Sequence, residues 1–195
     1  MNSESSLSYA YVNGKRVARL KGEGYFQVSK DRKHPFVVQV GNLNIEVLGT
    51  CFNVYSYEEN DFVETSLIEG SVRLYDSKSP SESFILKPSQ KAIYSKNNGK
   101  ISFHNTDNVK ETAWTQNHLV FESEKLGSVF QKIERWYGVH IDLLCPEIAN
   151  DQISGSFKDE QLSYVMEALK FQYGFNYEIT GNNVTINKSN QLKIK

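Results

Sequence analysis

The sequence predicts two domains: an all-β domain, antiparallel or solenoid-like, in residues 1–110, and a small α+β domain in residues 111–195. Three observations lead to this fold class. The first half of the chain consists of short segments that alternate apolar and polar residues. The hydrophobic period lengthens to about 3.6 residues near residue 123. Residues 121–141 and residues 157–177 repeat one pattern, in which Phe121 is equivalent to Phe157.

Short strands account for the whole of the predicted β domain. They are rich in β-branched and aromatic residues, and turn signals such as Gly41-Asn42 lie between them. Because no segment has helical periodicity, we expect no helix longer than a single turn between residues 17 and 105. The predicted strands are residues 17–20, 24–28, 36–40, 44–48, 51–57, 62–68, 71–75, 83–86, 92–95 and 101–105.

A linker is predicted at about residues 106–117, where the alternation ends and the composition becomes more polar. Trp114 lies in this segment. We expect its ring to pin one domain to the other.

The repeat in the second domain predicts duplicated β-α-β units. In each copy, apolar residues recur at the spacing of one buried helical face, which places helices near residues 124–137 and 160–172. The expected caps are Ser123 and Asp159 at the N-termini and Gly138 and Gly174 at the C-termini. Neither apolar face carries a histidine, a cysteine or a pair of carboxylates. The domain is therefore predicted to bind a partner, with no cofactor and no enzymatic activity.

The bulk composition disfavours several classes of function. With 22 basic and 23 acidic residues, the chain has no excess of positive charge for binding nucleic acid. No apolar run approaches the roughly 18 residues of a membrane-spanning helix. Cys51 and Cys145 are far apart in sequence and are expected to be unpaired thiols, with a disulfide in an oxidising compartment as the alternative. The four histidines are scattered, so no metal site is predicted.

Several motifs follow one another along the chain in a recognisable order. They are GEGYFQV at residues 22–28, PFVV at 35–38, VLGTCFNV at 47–54 and LIEGSV at 67–72. They resemble the successive signatures of the FecR family of anti-sigma regulators. Shorter matches continue at residues 86–88, 113–114 and 119–121, and residues 135–139 resemble the helix end in the C-terminal domain of Bacteroidetes members. Gly24, Gln27 and Ser89 depart from the usual alanine, glutamate and glycine.

This resemblance implies the periplasmic sensor region of a membrane-anchored regulator. Such proteins control an extracytoplasmic-function sigma factor through a cytoplasmic region, which is absent from this sequence, so Met1 is interpreted as an artificial start. They receive their signal from a TonB-dependent outer-membrane transporter. Residues 118–188 are similar to the short signalling domain at the N-terminus of those transporters and of secretins, and that domain is the expected partner.

The last strand of the chain is the predicted partner-binding site. Residues 175–180 and 184–188 form a predicted hairpin, and the final strand is expected at a sheet edge, where a partner strand can be added. The residues of this predicted site are Val184, Thr185, Ile186, Asn187 and Lys188. The alternative is binding through a helix face near Gln131 and Glu134.

Two alternative functions remain open. The hydroxyl of Thr50 can in principle attack the carbonyl of Gly49 and break the chain by an N-to-O acyl shift, as some FecR-like regulators are thought to do. The other interpretation is that Gly49 makes a turn or bulge and Thr50 begins a strand. A glycan- or peptidoglycan-binding module is the second alternative, and it requires an exposed aromatic shelf such as Trp136 with Tyr137.

Overall fold

The computed structural model describes residues 1–188, and the chain divides into two compact units, Met1–Gln116 and a second unit that begins at Asn117. Strands make up 51% of the structure and helices 20%, which confirms a mostly β chain.

Ten strands form one sheet in the first unit. They are β1 (Ser6–Val12), β2 (Lys15–Gln27), β3 (Phe36–Val40), β4 (Leu43–Val47), β5 (Cys51–Ser56), β6 (Phe62–Glu69), β7 (Val72–Asp76), β8 (Ser83–Leu86), β9 (Gln90–Ser95) and β10 (Ile101–Asn105). Their order is β10-β9-β6-β5-β2-β3-β4-β7-β8, and β1 pairs with β2. All these pairs are antiparallel except β2 with β3. The antiparallel alternative of the prediction is therefore the one observed.

The sheet curls so that its two ends lie together. Phe84 in β8 and Phe103 in β10 belong to the end strands, and their ring centroids are 5.7 Å apart. Near the same place the Tyr94 hydroxyl donates a hydrogen bond of 2.6 Å to Asp76. Burial, together with this bond to Asp76, raises the pKa of Tyr94 to about 12. The curled sheet encloses a core that includes Val38, Leu43, Ile45, Val47, Phe52, Val54, Leu67, Val72, Leu74 and Leu86.

The N-terminal hairpin was missing from the sequence-based prediction. Asn13 and Gly14 both have positive φ values, 49° and 76°, and join β1 to β2 through a two-residue turn. An Asn-Gly pair between alternating segments is the strongest short-range signal for such a hairpin. The signal was present in the sequence, and its neighbour β2 is one strand of 13 residues where two short strands were predicted.

The predicted linker is instead part of the first unit. Residues Asn108–Thr112 form a short helix, α1, and Ala113–Gln116 form one turn of 3-10 helix. Glu111 accepts a hydrogen bond of 2.9 Å from Ser66 in β6 and pairs with Lys91 in β9 at 3.2 Å. These contacts hold the segment against the sheet, so the boundary between the units lies between Gln116 and Asn117.

The second unit contains two helices and two small sheets. Its elements are β11 (His118–Lys125), α2 (Leu126–Tyr137), β12 (His140–Leu143), β13 (Gln152–Lys158), α3 (Leu162–Tyr173), β14 (Phe175–Thr180) and β15 (Asn183–Lys188), with a 3-10 turn at Pro146–Asn150. β11 pairs with β13, and β12, β15 and β14 form a three-stranded sheet in that order. The shared core includes Phe121, Leu126, Phe130, Ile133, Val165, Met166, Leu169, Phe175, Val184 and Ile186.

The helix caps were predicted correctly at one end only. Gly138 and Gly174 are the C-cap residues, and both have the left-handed conformation, with φ values of 65° and 67°. The N-cap prediction is wrong. Ser123 and Asp159 have positive φ values of 49° and 53° and precede the helices, where they turn the chain. The N-cap positions are Lys125 and Gln161, whose side chains make no capping hydrogen bond.

The prediction that residues 184–188 form an edge strand is also wrong. β15 is the central strand of its sheet, since it pairs with β12 in parallel and with β14 in antiparallel register. Val184 and Ile186 are fully buried, and Thr185 is also paired with both neighbouring strands, whereas Asn187 and Lys188 pair with β14. The long crossover that brings β12 beside the last strand is a tertiary feature with no local sequence signal.

Candidate functional site

β14 is an open edge of the three-stranded sheet within residues 1–188. The two-residue turn at Gly181-Asn182 makes Thr180 and Asn183 a hydrogen-bonded pair, so the backbone groups of Tyr177 and Ile179 point away from β15. No other backbone group of the described residues bonds to them. Ile179 is 39% exposed, and such an edge can accept a further strand.

β12, the opposite edge, is closed by a side chain from α2. Glu134 Oε1 accepts the backbone N–H of Ile141 at 2.7 Å, and His140 Nδ1 lies 3.0 Å from the same oxygen. His140 Nε2 also lies 3.2 Å from Asp142 Oδ1. A partner strand would have to displace the Glu134 carboxylate to reach the N–H of Ile141, so β12 is protected against strand addition.

A shallow groove of about 450 Å³ separates α2 from β12. It is lined by residues that include Lys125, Gly127, Gln131, Glu134, Leu143 and Ala149. Gln131 and Glu134 were the alternative helix face for partner binding. In the structure Glu134 is engaged by the edge of its own sheet.

The Gly49-Thr50 peptide has a structural explanation. The backbone N–H and C=O of Thr50 pair with those of Val28, and the Thr50 hydroxyl donates to the carbonyl of Ser71 at 3.0 Å. Gly49 has a φ of 148°, and a Cβ at this position would lie 2.6 Å from the Lys30 Cα. Close packing against Lys30 therefore requires glycine at position 49. The Thr50 hydroxyl donates its proton to the Ser71 carbonyl, which is not the Gly49 carbonyl that self-cleavage would attack.

Trp136 and Tyr137 do not form an exposed aromatic shelf. Both are half-buried and pack against the core of the second unit. The Tyr137 hydroxyl donates to the backbone carbonyl of Glu160 at 2.8 Å, so its polar end is also engaged.

Three of the motifs meet in a buried chain of hydrogen bonds that sequence reasoning missed. Glu23 Oε1 accepts from the Asn53 amide at 2.8 Å, and Asn53 Oδ1 accepts from the Trp114 indole N–H at 3.2 Å. Glu23 Oε2 accepts from Asn2 at 2.8 Å. Trp114 is thus bound within the first unit. The motifs are far apart in sequence, and only the pairing of β2 with β5 brings them together.

A second polar cluster lies where α1 meets the sheet. Lys91 pairs with Glu64 and Glu111, each at 3.2 Å, and Glu111 also accepts hydrogen bonds from Ser66 and Thr106. Burial acts to raise the pKa of the Glu111 carboxyl, but the Lys91 ammonium and the two hydroxyl groups outweigh it and hold that pKa below its ordinary value. For Lys91, burial acts to lower the pKa of the ammonium group. The carboxylates of Glu64 and Glu111 outweigh this effect, so the pKa of Lys91 lies above its ordinary value.

Comparison with known protein families assigns both units. Residues 1–73 match the model of the FecR protein family, and residues 118–186 match the model of the FecR C-terminal domain. The two matches together cover most of the chain.

The chain belongs to the FecR family.

Solved structures agree with this assignment. Two crystal structures of a candidate anti-sigma factor from Parabacteroides distasonis ATCC 8503 are similar to this FecR-family chain, each with 28% sequence identity over 97% of it. The TM-scores are 0.85 and 0.84, and the similarity covers 89% and 88% of those chains. No curated protein matches the chain.

Two further properties of this FecR-family chain bear on its chemistry. Among residues 1–188, no helix is long and apolar enough to cross a membrane. The same residues contain no group of three or more His, Cys, Asp or Glu side chains that could hold a metal ion. Cys51 is half-buried and Cys145 is buried, and both are free thiols.

Proposed function

We propose that this chain is the periplasmic sensory region of a membrane-anchored anti-sigma regulator. The regulator receives a signal from a TonB-dependent outer-membrane transporter and controls an extracytoplasmic-function sigma factor. The match of both units to FecR models and the similarity to a candidate anti-sigma factor support the regulatory role. In this proposal the sigma factor binds a cytoplasmic region outside these 195 residues, and the chain is not an enzyme.

The open edge of β14 is the observation that carries the proposal for partner binding. The N-terminal signalling domain of the transporter adds a strand to β14, with main-chain hydrogen bonds at Tyr177 and Ile179 providing affinity. β15 cannot serve because both of its sides are paired. β12 is disfavoured because Glu134 occupies the outward N–H of Ile141.

A pair of proline variants tests this proposal. Ile179→Pro removes an outward N–H from β14, and Leu143→Pro removes an outward N–H from β12, so neither change breaks a bond within the sheet. Titration calorimetry with the purified transporter domain should show loss of binding for Ile179→Pro and retained binding for Leu143→Pro. Loss of binding by Leu143→Pro together with retained binding by Ile179→Pro would place the interface at β12. Absence of binding by the wild-type chain would reject the partner.

A further inference from the structure

β1 is an edge strand that carries none of the usual protection. It has seven residues and pairs only with β2 among the described residues. Natural edge strands are normally protected by charged side chains, proline, bulges or short length, because an unpaired edge recruits other strands. β1 contains no charged residue and no proline, and its register with β2 is continuous.

The outward backbone groups of β1 belong to alternate residues. The two-residue turn makes Val12 and Lys15 a hydrogen-bonded pair, and every second residue of β1 then bonds to β2. The N–H and C=O groups of Leu7, Tyr9 and Tyr11 therefore point outward. Within residues 1–188 no other backbone group bonds to them.

The side chains of the same three residues form an exposed and largely apolar surface, in which the Tyr11 ring also contacts His34 at 5.9 Å between centroids. Leu7 lies opposite Leu20, and Tyr9 lies opposite Ala18, so the three side chains share the face that β2 turns to the core. Leu7 is 45% exposed, Tyr9 61% and Tyr11 59%. This surface continues the core face of the sheet beyond the part that the first unit covers.

We propose that two copies of this chain associate through β1, in antiparallel register about a two-fold axis at Tyr9. Tyr9 then lies opposite Tyr9 of the second copy, and Leu7 lies opposite Tyr11 of the second copy. This register matches the outward N–H and C=O groups of one copy with those of the other.

The partner strand at the β1 edge is β1 of a second copy, because the sequence of this strand is complementary to itself. Its apolar residues are symmetric about Tyr9 on one face, and Ser8 and Ala10 are symmetric on the other. A charge at position 9, on the axis, would meet the same charge of the second copy, and β1 carries no charge at this or any other position. The contact is isologous, so it closes as a dimer.

The dimer is expected to be weak and to depend on concentration. A strand of seven residues extends about 24 Å, and one pair of such strands buries less than the roughly 1,200 Å² of a stable complex. Sedimentation over a wide range of protein concentration is therefore the suitable measurement.

Sedimentation of the full chain and two lysine variants tests the proposal. Tyr9→Lys places two lysines opposite each other at the axis and leaves the bonds to β2 intact, so the dimer should weaken at least about tenfold. Phe171→Lys is the matched control, since Phe171 is an aromatic residue of α3 that is 93% exposed in the second unit. The control should dimerise like wild type, and both variants should keep the wild-type circular dichroism spectrum.

Hydrogen exchange provides a second readout with a distinctive pattern. The amides of Ser8 and Ala10 should be protected at every concentration, while those of Leu7, Tyr9 and Tyr11 should gain protection only as concentration rises. A wild-type chain that stays monomeric at its solubility limit would overturn the proposal. Undiminished dimerisation of Tyr9→Lys would also overturn it, because it would place the contact elsewhere.

Discussion

Replacing Glu111 with glutamine should destabilise the first unit at neutral pH and destabilise it less in acid. Loss of one partner from a buried ion pair costs about 3–5 kcal/mol when the remaining charge is left unpaired. Lys91 keeps Glu64, and its side chain is 18% exposed. Ser66 donates to Oε2 of Glu111 and Thr106 donates to Oε1, so the single amide oxygen of glutamine can keep one of these bonds, and its N–H can donate to the other hydroxyl oxygen. We therefore expect Glu111→Gln to lower the free energy of unfolding by about 1–3 kcal/mol.

The pH dependence follows from the direction of the pKa shift. The pKa of Glu111 in the folded protein lies below its ordinary value of 4.5. A carboxyl group with a depressed pKa stabilises the fold fully above its unfolded pKa, and this contribution is lost as pH falls through the folded pKa. The difference between wild type and Glu111→Gln should thus be constant near neutral pH and shrink in acid.

Urea denaturation at a series of pH values, followed by circular dichroism, measures both effects. Glu58→Gln is the control. Glu58 and Lys21 form an ion pair of 2.7 Å, but both side chains are largely exposed to solvent. This variant should leave the unfolding midpoint unchanged. The reasoning is refuted if Glu111→Gln matches wild type at neutral pH, or if its deficit persists undiminished in acid.

Three other changes test separate parts of the structure. Leu126→Ala should lower the free energy of unfolding by about 2–5 kcal/mol, whereas Leu162→Ala should cost less because Leu162 is only partly buried, and chemical denaturation compares the two. Gly49→Ala should cost at least about 1–3 kcal/mol in the same assay, since the added Cβ meets Lys30 at a positive φ. An intact mass measurement after prolonged incubation should give one full-length species, and a fragment beginning at Thr50 would revive self-cleavage.

Local patterns made much of the fold predictable. The period of hydrophobic residues is a property of each segment, so both helices and most strands were found within a few residues of their observed ends. Gly138 and Gly174 were identified as C-caps because a left-handed residue favours glycine whatever surrounds it. The N-caps failed for a related reason: Ser123 and Asp159 are common cap residues, but here they turn the chain before each helix.

The sequence by itself determined the family, the change from strands to helices, and the absence of a charge pattern suited to nucleic acid. These properties are carried by motifs and periodicity within short segments. Only the tertiary structure decided that β15 is central, that β14 is an open edge among residues 1–188, and that Glu134 closes β12. Strand order depends on pairing between residues distant in sequence, and no local pattern records which strand will lie at an edge. The meeting of Glu23, Asn53 and Trp114 depends on the same long-range pairing.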